Sequence, residues 1–166
     1  MRVISPAAWR AQPWKNGGGI THELVRWPDR DDYDVRVSLA EVTTSGPFSR
    51  FPRYRRWSFL VSTAPIELAG RGAVTTSLVA PGDHVELPGD VALTATLPAG
   101  PTHLLNVLAR DGACVAGYGP SAHPVRLVFA LAPRPADATR PALARWSAVV
   151  WDAVVHTDTT DCVWLS

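Results

Sequence analysis

Four arginines, Arg50, Arg53, Arg55 and Arg56, lie in the stretch GPFSRFPRYRRW between aromatic rings. A guanidinium is a planar fork that matches a carboxylate, so an arginine here is a candidate to meet an anion. The same cluster would also serve as a solvated surface stacked on Phe and Tyr. Gly46-Pro47 and Phe51-Pro52 restrict the backbone and make the stretch a shaped loop. Glu23 is the best candidate for general acid–base work, provided a sheet buries it beside Arg36 or Arg56. That burial would equally describe a structural ion pair. The five histidines, His22, His84, His103, His123 and His156, are scattered, and His84 has a carboxylate, Glu86, two residues away. A metal centre needs three or more converging ligands, so no metal is expected. No Gly-x-Ser-x-Gly elbow is present for a serine nucleophile. Cys114 and Cys162 are too far apart in sequence for a metal knuckle and are expected to be buried thiols.

A second chemical signal is PWKNGGGITHEL, Pro13 to Leu24. Its contiguous glycines match neither the dinucleotide fingerprint nor a P-loop, so a phosphate cradle is not expected. Gly17, Gly18 and Gly19 would instead form a turn, or let backbone lie against a ligand. The next strand alternates. Thr21, Glu23, Val25 and Trp27 are expected on one face, with Ile20, His22 and Leu24 on the other. In YDVRVSLAEV, Arg36 and Ser38 oppose Val35, Val37 and Leu39. In THLLNVLAR, Asn106 and Arg110 share a face with Leu104 and Leu108. Polar side chains can thus project as sets from three strands, although a period of two does not say which face is inside.

The elements that must position these groups are short. Glycine and proline, 12 and 15 residues, punctuate the chain evenly. Between them lie ITHELVRW, YDVRVSLAEV, RWSFLVST, GAVTTSLV, HVELPG, VALTATL, THLLNVLAR, VRLVFAL, WSAVVWDAVV and CVWL. Such spacing predicts an all-β sandwich or barrel. Only SPAAWRAQ and RPALARW tolerate helix, for a turn or two, and APRPADATRP reads as an exposed loop. With 166 residues the chain suits one domain, and with 46% hydrophobic and 19% charged residues it is globular. A net charge of +1 with no basic block argues against nucleic acid, and no apolar run reaches the ~20 residues of a membrane span. The N-terminus lacks a secretory apolar region, so a cytoplasmic location is expected.

Three ordered motifs, WKNGGGITHEL, VRVSLAEVTTSGPFSRFPRYRR and LLNVLAR, resemble the HutD/Ves family over about Val3 to Arg110. Departures from the family pattern are Val35 for a tryptophan, Arg53 for the glycine that often follows Phe-Pro, and Leu108 for a methionine. The resemblance implies a cupin-like antiparallel β-sandwich or barrel, a bicupin, as one domain over residues 1–166. It implies an accessory or regulatory role in histidine utilisation, through a pocket for a small carboxylate such as urocanate or a formylated glutamate. The expected ligand-binding residues are those of the motifs. Lys15, Arg36, Arg56 and Arg110 would grip carboxylate. Asn16, Ser38, Ser49 and Asn106 would orient the ligand, and Trp14 and Phe51 would form an apolar wall. Gly18 and Thr21 belong to the first motif, and Glu23 would pair with an arginine or with a ligand donor. No cofactor is expected, and pairing of edge strands would make a homodimer. The alternative reading is a cupin-type enzyme, either metal-dependent or using Glu23 as acid and base.

Overall fold

The computed structural model describes residues 1–70, 75–139 and 142–166. The strands are β1 (Arg2–Ile4), β2 (Arg10–Pro13), β3 (Gly19–Trp27), β4 (Val35–Val42), β5 (Gly46–Pro47), β6 (Arg55–Leu60), β7 (Ile66–Gly70) and β8 (Thr76–Leu78). They continue as β9 (His84–Pro88), β10 (Leu93–Thr96), β11 (Thr102–Ala109), β12 (Ala116–Tyr118), β13 (Val125–Ala130), β14 (Ala148–Val155) and β15 (Cys162–Leu165). The fold is all-β and cupin-like, with antiparallel sheets. Among the described residues no helix is long and apolar enough to cross a membrane.

The chain divides into two compact units, one of Arg10–Ala113 and one of Met1–Trp9 with Cys114–Ser166. The first unit holds a six-stranded sheet in the order β2-β3-β4-β11-β6-β9 and a four-stranded sheet in the order β5-β10-β7-β8. Period-two alternation aims Ala40, Val42, Leu60 and Leu104 of the larger sheet at Ile66, Leu68, Leu78, Leu93 and Ala95 of the smaller one. Each fully buried Leu or Ile in this layer contributes about 1.5–3 kcal/mol relative to exposure. The opposite face of the larger sheet is apolar and buried too, through Val37, Leu39, Phe59, Leu105 and Val107. The second unit is a five-stranded sheet in the order β1-β14-β13-β15-β12. Its own core includes Val128, Ala130, Val149, Trp151, Cys162 and Trp164.

Each segment read as a strand contains one among its described residues; residues 72–74 of GAVTTSLV lie outside the described residues. Two expectations change. SPAAWRAQ holds only a 3-10 turn, Pro6–Ala8, and its tail joins the edge strand β2, paired with β3. Pro13 fits there because an edge strand can lack an N–H. Residues 142–146 form no helix: Leu143 bridges Arg134, and residues 140 and 141 of RPALARW lie outside the described residues. IELAG, not among the expected strands, is β7, with Ile66 and Leu68 buried and Glu67 exposed between them.

The third change concerns β3. A β-bulge at Leu24 shifts the register between Glu23 and Val25. One extra residue reverses the parity of the rest of the strand. Val25 therefore pairs with Val37, on the face away from Glu23, and Arg26 pairs with Arg36 on the Glu23 face. The expected Thr21, Glu23, Val25, Trp27 face does not exist beyond Glu23.

Candidate functional site

Three rows cross the inner face of the six-stranded sheet. Register places Thr21, Ala40, Leu104 and Leu60 in one row. Glu23, Ser38, Asn106 and Ser58 form the next, and Arg26, Arg36, Leu108 and Arg56 the third. Along β4 and β6 the face therefore turns from apolar to polar, and β11 adds Asn106. The apolar end belongs to the core described above. The polar end borders a pocket of about 520 Å³.

The pocket wall comprises Gln12, Pro13, Trp14, Lys15, Asn16, Thr21, Arg36, Ser38, Ala40, Pro47, Phe48, Ser49, Phe51, Arg56, Asn106 and Leu108. Ten expected residues meet there: Trp14, Lys15, Asn16, Thr21, Arg36, Ser38, Ser49, Phe51, Arg56 and Asn106. Gly18, Glu23 and Arg110 do not line it. Among the described residues the wall contains three basic side chains and no carboxylate.

Arg56 is buried, with 7% of its surface exposed. Its Nε donates to Ser58 Oγ at 3.1 Å and to Asn106 Oδ1 at 3.3 Å, and its Nη2 to Asn106 Oδ1 at 3.0 Å. Nη1 makes a long contact of 3.5 Å to the Ser49 carbonyl, and the guanidinium lies 4.9 Å from the Phe48 ring centre. All these partners are neutral, and burial pushes the Arg56 pKa down to about 10. Ser58 Oγ completes the group by donating to Asn106 Oδ1 at 2.7 Å. An arginine only donates, so the Asn106 atom facing it is the oxygen.

Arg36 reaches the wall from β4 and is tethered behind it by Glu23. Its Nε lies 3.2 Å from Glu23 Oε2, while Arg26 Nε is 3.0 Å from Oε1 and Arg10 Nη1 is 3.9 Å away. Neither the Arg26 nor the Arg36 Nε–H is aligned for a hydrogen bond, so these are ion pairs by distance rather than directed bonds. The Asp31 carboxylate, which accepts from Arg26 Nη1 at 3.0 Å, holds the Arg26 pKa above its ordinary value, with Glu23 and Asp29 adding to it. Glu23 is thus paired with Arg36, as one of the expected alternatives had it, and with Arg26 and Arg10, but not with Arg56.

The first motif makes the rim. Gly17 N–H donates to the Trp14 carbonyl at 3.0 Å, and Gly17 has φ +72°, which closes the turn. Gly18 N–H donates to Asn16 Oδ1 at 3.0 Å, and the Gly18 carbonyl accepts from Thr43 at 3.0 Å. A Cβ on Gly19 would sit 2.2 Å from the Glu41 carbonyl oxygen. The triple glycine is therefore a turn with one close backbone approach, and Gly18 shapes the rim from behind it. Trp14 stands on the turn with Nε1 donating to Thr21 Oγ1 at 2.8 Å and its ring edge-on to Phe48 at 5.6 Å.

The four clustered arginines divide. Arg50 donates from Nε to the Asp90 carbonyl at 2.8 Å, Arg55 pairs with Glu86 at 2.9 Å, and only Arg56 turns inward. Arg53 adopts φ +73°, the left-handed conformation that suits the glycine it replaces in the motif. Arg110 lies beyond the end of β11 and pairs with Asp32 and Asp34, over the Tyr54 ring. Hydrogen bonds with Tyr54 and Asp32 hold its pKa above the ordinary value. Its expected place on the Asn106 face fails because the strand stops at Ala109. His84 stacks on Phe59 at 4.8 Å, and among the described residues no three His, Cys, Asp or Glu side chains converge as a metal site. Cys162 is fully buried, and burial pushes the Cys114 thiol up to about 11.

Sequence reasoning missed Ser58, Arg26, Phe48 and Gln12. Ser58 was readable, since Arg56, Ser58 and Leu60 share a face by simple alternation. Arg26 was not, because the bulge that turns it inward leaves no distinct signature in ITHELVRW.

A family model described as HutD matches residues 6–164. Protein Ves of Citrobacter koseri is 32% identical over 105 residues, covering 62% of this chain and 54% of the relative. An uncharacterized 21.2 kDa protein in the hutC 3' region of Pseudomonas putida is 29% identical over 110 residues, covering 65% of this chain and 57% of the relative. The chain thus spans about half the length of these two relatives. Among solved structures, HutD from Pseudomonas fluorescens SBW25 superposes with a TM-score of 0.82 at 24% identity, covering 99% of this chain and 96% of the other. With the family model matching from Pro6 to Trp164, the chain belongs to the HutD family.

Proposed function

We propose that this chain is a metal-independent binding protein of the cytoplasm that holds a small carboxylate in the β-sandwich pocket and thereby senses or regulates histidine utilisation. The observation that carries this reading is the charge of the wall: Lys15, Arg36 and Arg56 line it with no carboxylate among them. A buried cation with only neutral partners is costly to keep charged, and an anion in the pocket would offset that cost. Trp14, Phe48 and Phe51 supply apolar surface for the body of the ligand, as in most small-molecule pockets. The pathway assignment rests on the family and on the hutC-region relative. The acid–base enzyme reading has little support, because Glu23 does not line the pocket and faces three guanidinium groups.

Thermal unfolding tests the proposal. At about a hundred times Kd a ligand adds roughly 2.7 kcal/mol, which raises the melting temperature of a domain of this size by about 5–10 °C. Urocanate, N-formylglutamate and simple carboxylates are the probes. The expected result is a concentration-dependent rise for at least one of them, absent in Arg56→Met. No shift with any carboxylate at millimolar concentration would remove the reading.

A further inference from the structure

Arg26 and Arg36 stand directly opposite each other across β3 and β4, in the row next to Glu23. Like charges in register repel. Glu23, buried between them, turns one carboxylate oxygen to each: Oε1 lies 3.0 Å from Arg26 Nε, and Oε2 lies 3.2 Å from Arg36 Nε. The two arginines differ in what else holds them. Arg26 also meets Asp31 at 3.0 Å and Asp29 at 3.6 Å, and Arg10, the third cation on Glu23, meets Asp29 at 3.6 Å. For Arg36, Glu23 is the one carboxylate within ion-pair distance among the described residues. Arg36 is also the one of the three that lines the pocket. Its Nε is buried against Glu23, and its Nη1 and Nη2 carry no hydrogen bond among the described residues. Arg56 is the contrast, since each of its three nitrogens already contacts a neutral oxygen of the protein.

From this arrangement, and resting on the carboxylate reading above, we propose that Glu23 is a positioning residue for the pocket: it holds the Nε side of Arg36 against the charge of Arg26 and leaves the paired Nη groups of Arg36 to the bound anion. Glu23 itself does not line the pocket and touches no ligand. It holds Arg36 by charge rather than by a directed bond, and burial strengthens that attraction. The β-bulge at Leu24 creates the need for it, because the bulge is what brings Arg26 opposite Arg36. Without Glu23, Arg26 keeps Asp29 and Asp31, whereas Arg36 keeps no carboxylate and faces the like charge alone. A guanidinium released in this way has to be ordered again when an anion binds, which a fork already fixed avoids. The sign of the effect separates this role from two simpler ones. Glu23→Gln removes a negative charge near an anion pocket, so the field alone would tighten carboxylate binding. A role in stability alone would lower the melting temperature and leave the affinity of the folded protein unchanged. Positioning requires weaker binding in a folded protein, acting through Arg36.

Calorimetric titration of the full chain with urocanate and with N-formylglutamate tests this, on the wild type, Glu23→Gln, Arg36→Met and the double variant. In the wild-type background Glu23→Gln is expected to raise Kd at least about fivefold, a part of what one charge-assisted hydrogen bond contributes. In the Arg36→Met background the same substitution is expected to leave Kd unchanged or lower it, because both changes remove one interaction. A smaller rise or a fall in Kd for folded Glu23→Gln, or a rise that persists in the Arg36→Met background, overturns the inference and leaves carboxylate binding intact. A wild-type chain that binds neither probe overturns the carboxylate reading together with it. If Glu23→Gln does not fold, or Arg36→Met binds too weakly to measure, Arg36→Lys decides. It keeps the charge but has a single ammonium, which Glu23 holds, and no second pair of donors to offer. It is expected to raise Kd at least about fivefold, and an Arg36→Lys protein that binds as tightly as the wild type overturns the inference.

Discussion

Every oxygen that Arg56 contacts is neutral, and its pKa of about 10 lies below the ordinary value because burial disfavours the charged form. The sign is fixed by linkage. A base whose folded pKa is lowered costs stability while it is charged, below about pH 10, and the cost is relieved as pH rises through that value. Charged Arg56 is thus a liability to the empty protein and an asset once an anion is bound, the trade found at binding sites. Arg56→Met keeps much of the volume and removes the charge, and Asn106 Oδ1 keeps its bond from Ser58. The unliganded variant is expected to melt at the same temperature as the parent or a few degrees higher, while losing its response to carboxylates. Scanning calorimetry checks the first part. A fall of more than about 4 °C, which is 1–2 kcal/mol for a chain of this length, would show the neutral contacts outweigh the burial cost. GPFSRFPRYRRW offered four arginines as candidates, but which of them turns into the pocket was not readable. That choice was made by β6, whose alternation puts Arg56 inside with Ser58 and Leu60 and leaves Arg55 on Glu86.

The β2–β3 turn shows how differently three adjacent identical residues are used. Gly17 needs a left-handed backbone and has open space around its Cα, so Ala there meets only conformational strain of about 1–2 kcal/mol. Gly18 has an ordinary backbone, and a Cβ would press on Thr44 Oγ1 at 3.2 Å and Asn16 Oδ1 at 3.3 Å, both side-chain atoms able to give way. Gly19 is different, because its Cβ would fall 2.2 Å from the backbone oxygen of Glu41 in the paired strand β4. That oxygen cannot move without opening the β3–β4 ladder, so Gly19→Ala is expected to cost about 3 kcal/mol or more. Denaturant unfolding should rank the Ala variants Gly19 worst, then Gly17, then Gly18. A Gly18 variant as damaged as Gly19 would mean that the turn, not the close approach, governs this motif. The strands on either side were legible from period-two runs, and so were the faces of β4 and β11. The face of β3 was legible only as far as Glu23, since the bulge reverses the parity after it. Arg26, the unforeseen partner of Glu23, owes its position to that one inserted residue.

Across the whole chain, evenly spaced Gly and Pro with short Val- and Leu-rich runs already pointed to a β-sandwich, because few other folds use strands so short. The division into Arg10–Ala113 and Met1–Trp9 with Cys114–Ser166 had no such signal. It depends on β1 pairing with β14 from the far end of the chain, with Ile4 opposite Ala148, a contact that alternation cannot reveal. Charge behaves likewise: the totals are nearly balanced, with 16 basic and 15 acidic residues, while the pocket wall is wholly basic among its charged groups. A near-neutral molecule exerts little long-range pull on an anion, so the proposed carboxylate binding requires attraction at short range. Lys15 is exposed at the rim and open to screening, whereas Arg56 is buried and shielded from it. Raising salt from about 0.01 to 1 M shortens the screening length from about 30 to 3 Å. Carboxylate affinity measured by calorimetry over that range should fall by less than about tenfold, and most of that fall should vanish in Lys15→Ala. A loss of a hundredfold or more, unchanged in Lys15→Ala, would mean that the anion is held by a diffuse surface field and not by the guanidinium at the base of the pocket.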